Sequence, residues 1–135
     1  MVTDDLKHIR WYNAKSRYLK SMKPKLGNSM EGINAIIKLR ETPKYWHIMY
    51  DKYRNVYYRF AEMPYKLAPN ESPYDEPKGK EFSVIVLNED FEIIGETRFP
   101  GKKYFYKMSF VGKEGLYISE NNLENRQFVE NKLVF

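Results

Sequence analysis

A chain of 135 residues, 42% of them apolar, has the length of one domain and enough apolar surface to bury a core. Its net charge of +5 lies in residues 1–26, where Lys7, Arg10, Lys15, Arg17, Lys20, Lys23 and Lys25 face only Asp4 and Asp5; the rest is balanced, which argues against a phosphate track along the domain. The lack of cysteine excludes disulfides, thiolate metal sites and a cysteine nucleophile.

No run approaches the ~20 apolar residues a membrane-spanning helix needs. Met1–Asp5 has neither the charged nor the apolar region of a signal peptide, so the chain as given reads as soluble and unexported. The expected division is a basic N-terminal segment, 1–43, with helical stretches, and blade-like antiparallel sheets over 44–135, in one domain.

In chain order, Leu6, Ile9, Tyr12, Leu19 and Met22 suggest a helix over 4–22 capped by Thr3 or Asp4. A strand across Ile9–Tyr12 competes with it, since the apolar stripe breaks at Lys15 and Ser16. Residues 23–28 are a break. Met30 to Arg40 then predicts a short helix with Ser29 as N-cap and Ile33, Ile36 and Ile37 on one face. Gly32 weakens this helix and Pro43 ends it.

From Tyr45 the apolar period becomes two, and aromatic and β-branched residues dominate. Tyr45–Tyr50 and Val56–Glu62 predict a hairpin turning through Asp51–Asn55. Pro64, Pro69, Pro73 and Pro77 make residues 63–80 a long external loop. Glu81–Leu87 and Phe91–Phe99 predict a second hairpin through Asn88-Glu89-Asp90. Its first strand is apolar on both faces, Phe82, Val84 and Val86 against Ile85 and Leu87, so it is expected to be covered on both sides. Lys103–Val111 and Leu116–Ser119 predict a third hairpin through residues 112–115, and Lys132–Phe135 a last strand. Val56-Tyr57-Tyr58 and Leu116-Tyr117-Ile118 each follow a polar turn and lie 60 positions apart. Tandem four-stranded units of this kind are the pattern of propeller blades.

Three stretches carry a likeness to a known family: Ala14-Lys15-Ser16-Arg17-Tyr18, Tyr50 to Phe60 (Tyr-Asp-Lys-Tyr-Arg-Asn-Val-Tyr-Tyr-Arg-Phe) and Gly115-Leu116-Tyr117-Ile118-Ser119. Over most of residues 10–135 the chain resembles an uncharacterised family of cell-envelope lipoproteins from Bacteroides-type bacteria, TolB-like six-bladed β-propellers. The resemblance implies a mainly β, propeller-like fold and an envelope location for the parent protein, anchored by lipid. It implies no activity. Family members are longer and begin with a signal peptide and a lipid-bearing cysteine, so the chain resembles their C-terminal part. About two blades cannot close a ring, and self-association through open sheet edges is the expected consequence.

The best candidate ligand surface is the turn Asp51, Tyr53, Arg54 and Asn55. Loops at a rigid sheet end often bind ligands, Arg54 suits carboxylate or phosphate, and Tyr53 offers a stacking face. Plain turn chemistry is the competing explanation: Asp51 and Asn55 bonding local backbone, Arg54 packing on an aromatic. His8 and His47 lack the spacing of a zinc motif, and Asn88-Glu89-Asp90 and Asp75-Glu76 lack that of a calcium loop. No cofactor or catalytic residue is assigned. The reading is a non-enzymatic binding scaffold with an unidentified ligand or protein partner. The alternatives are a hydrolase pairing Asp51 with Glu62 or Glu96, and a nucleic-acid binder using the basic arm or Tyr53, Tyr57 and Tyr58 beside Arg54 and Arg59.

Overall fold

The computed structural model describes residues 11–20, 31–75 and 77–135. Where the sequence turns to alternating aromatic and β-branched residues, six strands form. They are β1 (Lys44–Asp51), β2 (Val56–Glu62), β3 (Phe82–Leu87), β4 (Ile93–Phe99), β5 (Phe105–Gly112) and β6 (Gly115–Ser119). The first four make one antiparallel meander in the order β1-β2-β3-β4, and β5 and β6 make a separate two-stranded sheet. Among the described residues the fold is mainly β, and no closed ring is formed.

Register explains why the first sheet carries two cores. Tyr58 pairs with Val86, Phe60 with Val84 and Glu62 with Phe82, so these side chains share one face. There Tyr58, Phe60, Phe82, Val84 and Tyr106 form a buried cluster, with Tyr104 just before β5 and Val111, Leu116 and Ile118 of the second sheet packed against it. The Phe82 ring lies 4.8 Å from Tyr106 and 5.0 Å from Phe99. The opposite face is aliphatic: Ala61, Met63, Ile85 and Leu87 meet Ala14 and Leu19 of the N-terminal segment. The two-sided covering expected for β3 is therefore found.

Three expectations need correction. Residues 11–20 form no helix but an irregular strap with one turn. Its backbone bonds outward: the Ala14 carbonyl accepts from Arg59 at 2.9 Å, and the Ser16 N–H donates to the Tyr45 hydroxyl at 2.9 Å. A segment whose polar groups are drawn to a sheet has no need of a helical ladder. Trp11 and Tyr12 are not in a strand either; Thr3, Asp4, Ile9 and Met22 lie outside the described residues.

The short helix α1 runs Ile33–Glu41, not from Met30, with Gly32 as N-cap at φ 63°. That left-handed conformation favours glycine and interrupts a helix. Ser29, the expected cap, is outside the described residues. α1 buries no residue and is held instead by its polar C-terminal end. The Glu41 carbonyl accepts from Tyr65 N–H at 3.1 Å, and Arg40 donates to the Pro73 and Tyr74 carbonyls.

The third correction is Lys132–Phe135, which forms no strand. One extended contact remains, with Glu120 N–H donating to the Val134 carbonyl at 2.8 Å. Smaller shifts have a backbone cause. Phe91 and Lys102 take positive φ, 59° and 65°, so β4 and β5 begin later than the apolar pattern suggests. The proline-rich span contains no helix or strand among its described residues. Gly101 closes it against β4, where an added Cβ would lie 1.9 Å from the Gly79 carbonyl oxygen.

Candidate functional site

The four predicted residues stand on the β1–β2 turn. Asp51 is fully buried. Its Oδ1 accepts from the Tyr53 and Arg54 N–H groups at 2.9 and 3.1 Å, and its Oδ2 from Arg54 Nη1 at 3.1 Å and the Tyr58 hydroxyl at 3.0 Å. Burial pushes the carboxyl up, but the bonds from Tyr53, Tyr58 and Arg54 outweigh it and hold the group below its ordinary value. The same environment, and the bond to Asp51, push the Tyr58 phenol up. Asn55 takes the left-handed conformation at φ 55°, which asparagine tolerates, and its Oδ1 accepts from the Tyr50 hydroxyl at 2.6 Å.

Arg54 does a second thing. Its Nη2 donates to the Lys113 carbonyl at 2.9 Å. Lys113 is in the β5–β6 turn, so the two turns related by the 60-residue repeat touch each other. Tyr53 is about half exposed, with Lys52 Nζ 5.2 Å from its ring centre. Asp51 and Asn55 thus bond locally, while Tyr53 and part of the Arg54 guanidinium face outward.

A feature that the sequence reading missed adjoins this turn. Tyr50, Tyr57, Phe91 and Tyr12 form a row with ring centres 4.9, 4.6 and 4.8 Å apart. The row crosses β1, β2, the β3–β4 turn and the strap. Its signal was the register of Tyr50 opposite Tyr57, which follows from the hairpin. Phe91 and Tyr12 join only through tertiary packing. Phe91 holds an unfavourable positive φ, a strain of order 1 kcal/mol or more, and its stacking on two tyrosines offsets it.

The other buried carboxylates do not converge on Asp51. Glu62 is six residues along β2 from Val56, the partner of Asp51, which is ~20 Å at 3.3 Å per residue. Its Oε2 meets Lys80 Nζ at 2.8 Å and its Oε1 accepts from the Tyr106 hydroxyl. Lys80 also donates to the Arg40 and Thr42 carbonyls at 2.9 Å each. Glu96 lies on the opposite face, accepting from Ser16 Oγ at 2.5 Å, Ser83 Oγ at 2.6 Å and Arg17 N–H at 2.9 Å. A glycosidase pair needs carboxylates roughly 5–10 Å apart; Asp51 and Glu62 lie well beyond this, and Glu96 is on the other face of the sheet.

The remaining candidates fall into ordinary structural roles. His47 stacks on Phe60 at 5.4 Å. Asn88 closes its own turn by accepting from Asp90 and Glu92 N–H groups. In the described part of the basic arm, Arg17 faces Glu96 and Lys15 Nζ donates to the Lys20 carbonyl at 2.8 Å. Among the described residues no helix is long and apolar enough to cross a membrane, and no three His, Asp or Glu gather as metal ligands do.

Comparison with known proteins gives a family without an activity. The family model "Domain of unknown function (DUF4221)" matches residues 1–98. A crystal structure of a member of that family from Bacteroides vulgatus ATCC 8482 is 92% identical to this chain, superposes with a TM-score of 0.89 and covers 97% of it. The present chain spans only 36% of that relative's length. No curated protein matches.

Proposed function

The chain belongs to the DUF4221 family, a domain family of unknown function, and from that premise we propose that it is a non-enzymatic binding scaffold of the bacterial cell envelope. Its recognition surface is the Asp51–Asn55 end of the first sheet. The observation that carries this reading is the combination of a rigid turn with an exposed ring. Asp51, held by four donors, fixes the loop, and Tyr53 and the outer part of Arg54 are offered to solvent beside the Tyr50–Tyr57–Phe91–Tyr12 row. Preorganised loops of this kind bind at low entropic cost. The ligand class that fits is a ring compound carrying a carboxylate, stacked on Tyr53 with its anion on Arg54.

The architecture reads as one complete propeller blade, β1–β4, followed by the first half of another, β5–β6. Two features support this: the face-to-face packing of the sheets and the turn-to-turn bond between Arg54 and Lys113. The envelope assignment rests on the Bacteroides-type resemblance and the source of the crystallised relative.

The binding reading is tested by calorimetric titration with an oligosaccharide containing glucuronic acid and its neutral glucose counterpart. Saturable binding of the acidic sugar, weakened at least tenfold by Tyr53→Ala without loss of fold, is the expected result. Equal affinity for both sugars, no binding, or binding indifferent to Tyr53→Ala contradicts it.

A further inference from the structure

After β6 the chain closes on itself. Glu120 N–H donates to the Val134 carbonyl at 2.8 Å, and Val134 N–H donates to Asn121 Oδ1 at 2.7 Å, so the two ends of residues 120–134 lie side by side. Asparagines hold the span in shape. Asn121 Nδ2 donates to the Lys132 carbonyl, and Asn125 Nδ2 to the Glu120 carbonyl at 2.9 Å. Buried Asn122 donates to the Lys78 and Tyr104 carbonyls at 2.9 and 3.0 Å, which ties the loop to the body of the fold. Loops closed at the neck in this way are usually packed by their own side chains and often carry function. This one surrounds a cavity of about 240 Å³, at the end of β6 away from the Arg54–Lys113 contact.

The Asn121 and Asn125 amides are committed to the loop's own backbone, so what a guest meets comes from the other lining residues. Phe128, Val129 and Val134 are apolar, Gln127 is a neutral amide, and Glu120 and Lys132 carry opposite charges. Those two charges line one cavity, yet among the described residues no ion pair joins them. Glu120 Oε1 instead meets Lys103 Nζ at 3.1 Å, which leaves Oε2 able to accept another donor.

We propose that this cavity binds a free α-amino acid with an aliphatic side chain. An anion and a cation held apart beside an apolar wall are complementary to a molecule that carries both charges next to an apolar group. The guest's ammonium bonds Glu120 Oε2, its carboxylate takes Lys132 Nζ and the Gln127 amide, and its side chain rests on Phe128, Val129 and Val134. The size agrees with a single amino acid, since the cavity falls below the roughly 300–1,000 Å³ of pockets for drug-sized ligands. A neutral monosaccharide would satisfy Gln127 but give neither Glu120 nor Lys132 a counter-charge.

The test is an NMR titration of this chain with L-leucine, isocaproate, isoamylamine and glucose. The first three share one aliphatic group, and isocaproate lacks the ammonium while isoamylamine lacks the carboxylate. Leucine is expected to shift the amides of Glu120, Gln127 and Lys132 saturably at millimolar concentration, and the other three to bind roughly tenfold or more weakly. Lys132→Met should erase the preference for leucine over isoamylamine, and Glu120→Gln the preference over isocaproate. Lys103→Met removes the Lys103–Glu120 pair alone, and should bind leucine no more weakly than the parent chain. The absence of saturable leucine binding, equal affinity for leucine and any of the other three compounds, or preferences unchanged in both variants overturns the proposal. The cavity shares no residue with the Asp51–Asn55 surface, so loss of this inference and loss of the binding reading are separable.

Discussion

The two sheets are both antiparallel but differ in how far their surroundings cover them. The first has four strands and both faces covered, an aromatic cluster on one and an aliphatic cluster under the 11–20 strap on the other. The second has two strands, its inner face on the aromatic cluster and its outer face only partly covered among the described residues. Phe110 stacks on Tyr117 at 4.9 Å out there, with Phe135 edge-on at 5.1 Å, and Phe110 remains 46% exposed. Similar residues in similar hairpins therefore sit in different environments. What differs is the surrounding chain, so burial here is a property of neighbours more than of local sequence.

Removing Lys80's charge is expected to break the first sheet's surroundings most severely. Lys80→Met takes the nearer cation from buried Glu62, leaving Lys44 Nζ at 3.6 Å, and strips a donor from two carbonyls of the α1 end. A loss of ~3–5 kcal/mol is expected from chemical denaturation. A loss below ~1 kcal/mol would mean that this ion pair does not organise the sheet's lower end.

The comparison sharpens with one aromatic from each sheet. Phe82→Ala removes a fully buried ring and should cost ~3–5 kcal/mol. Phe110→Ala removes a ring half in water, and the expected cost is ~1 kcal/mol, mostly its stacking on Tyr117. Equal losses in denaturant midpoints would erase the distinction between a covered and a partly covered sheet.

A smaller effect is expected at the junction of the repeated turns. Asp51→Ala strips the acceptor from four donors, for a loss of ~2–3 kcal/mol. Because the Asp51 carboxyl is held below its ordinary value, its contribution is present above pH ~4 and lost as pH falls further. The variant should therefore lose part of the acid limb of the stability profile. An unchanged acid limb would show that the turn is held by other means.

The smallest expected effect lies in the proline-rich loop. Burial and the Glu71 carboxylate push the Tyr65 phenol up to about 12. A phenol that holds its proton more tightly when folded stabilises fully below pH ~10 and loses that contribution as pH rises toward 12. Tyr65→Phe should flatten the decline between pH 10 and 12 by about 1 kcal/mol or less, given the partial exposure of the ring. Coincident profiles would remove this loop contact from the account.

Much of this was legible in the sequence, for identifiable reasons. Val56–Glu62 was read to the residue because alternation, a polar turn and β-branching agree there. The other strands were placed within two residues, and the misses fall where Phe91 and Lys102 turn left-handed, which no residue type announced. The strap was misread because Tyr12 and Leu19 have helical spacing by coincidence while Ser16 and Arg17 answer to Glu96, 79 or more positions away. The turn chemistry of Asp51 and Asn55 was visible as one of two readings. The Arg54–Lys113 bond was not, because it depends on how the sheets stack.

The central claim is that β1–β4 holds a core on each face, whereas β5–β6 is covered mainly on one. Native-state amide hydrogen exchange on this chain tests it most directly. Amides of Phe60, Ala61, Val84 and Ile85 should exchange only through global unfolding, while those of Leu116 and Ile118 should open at least tenfold more readily. Protection in β6 equal to that in β2 and β3 would contradict the account.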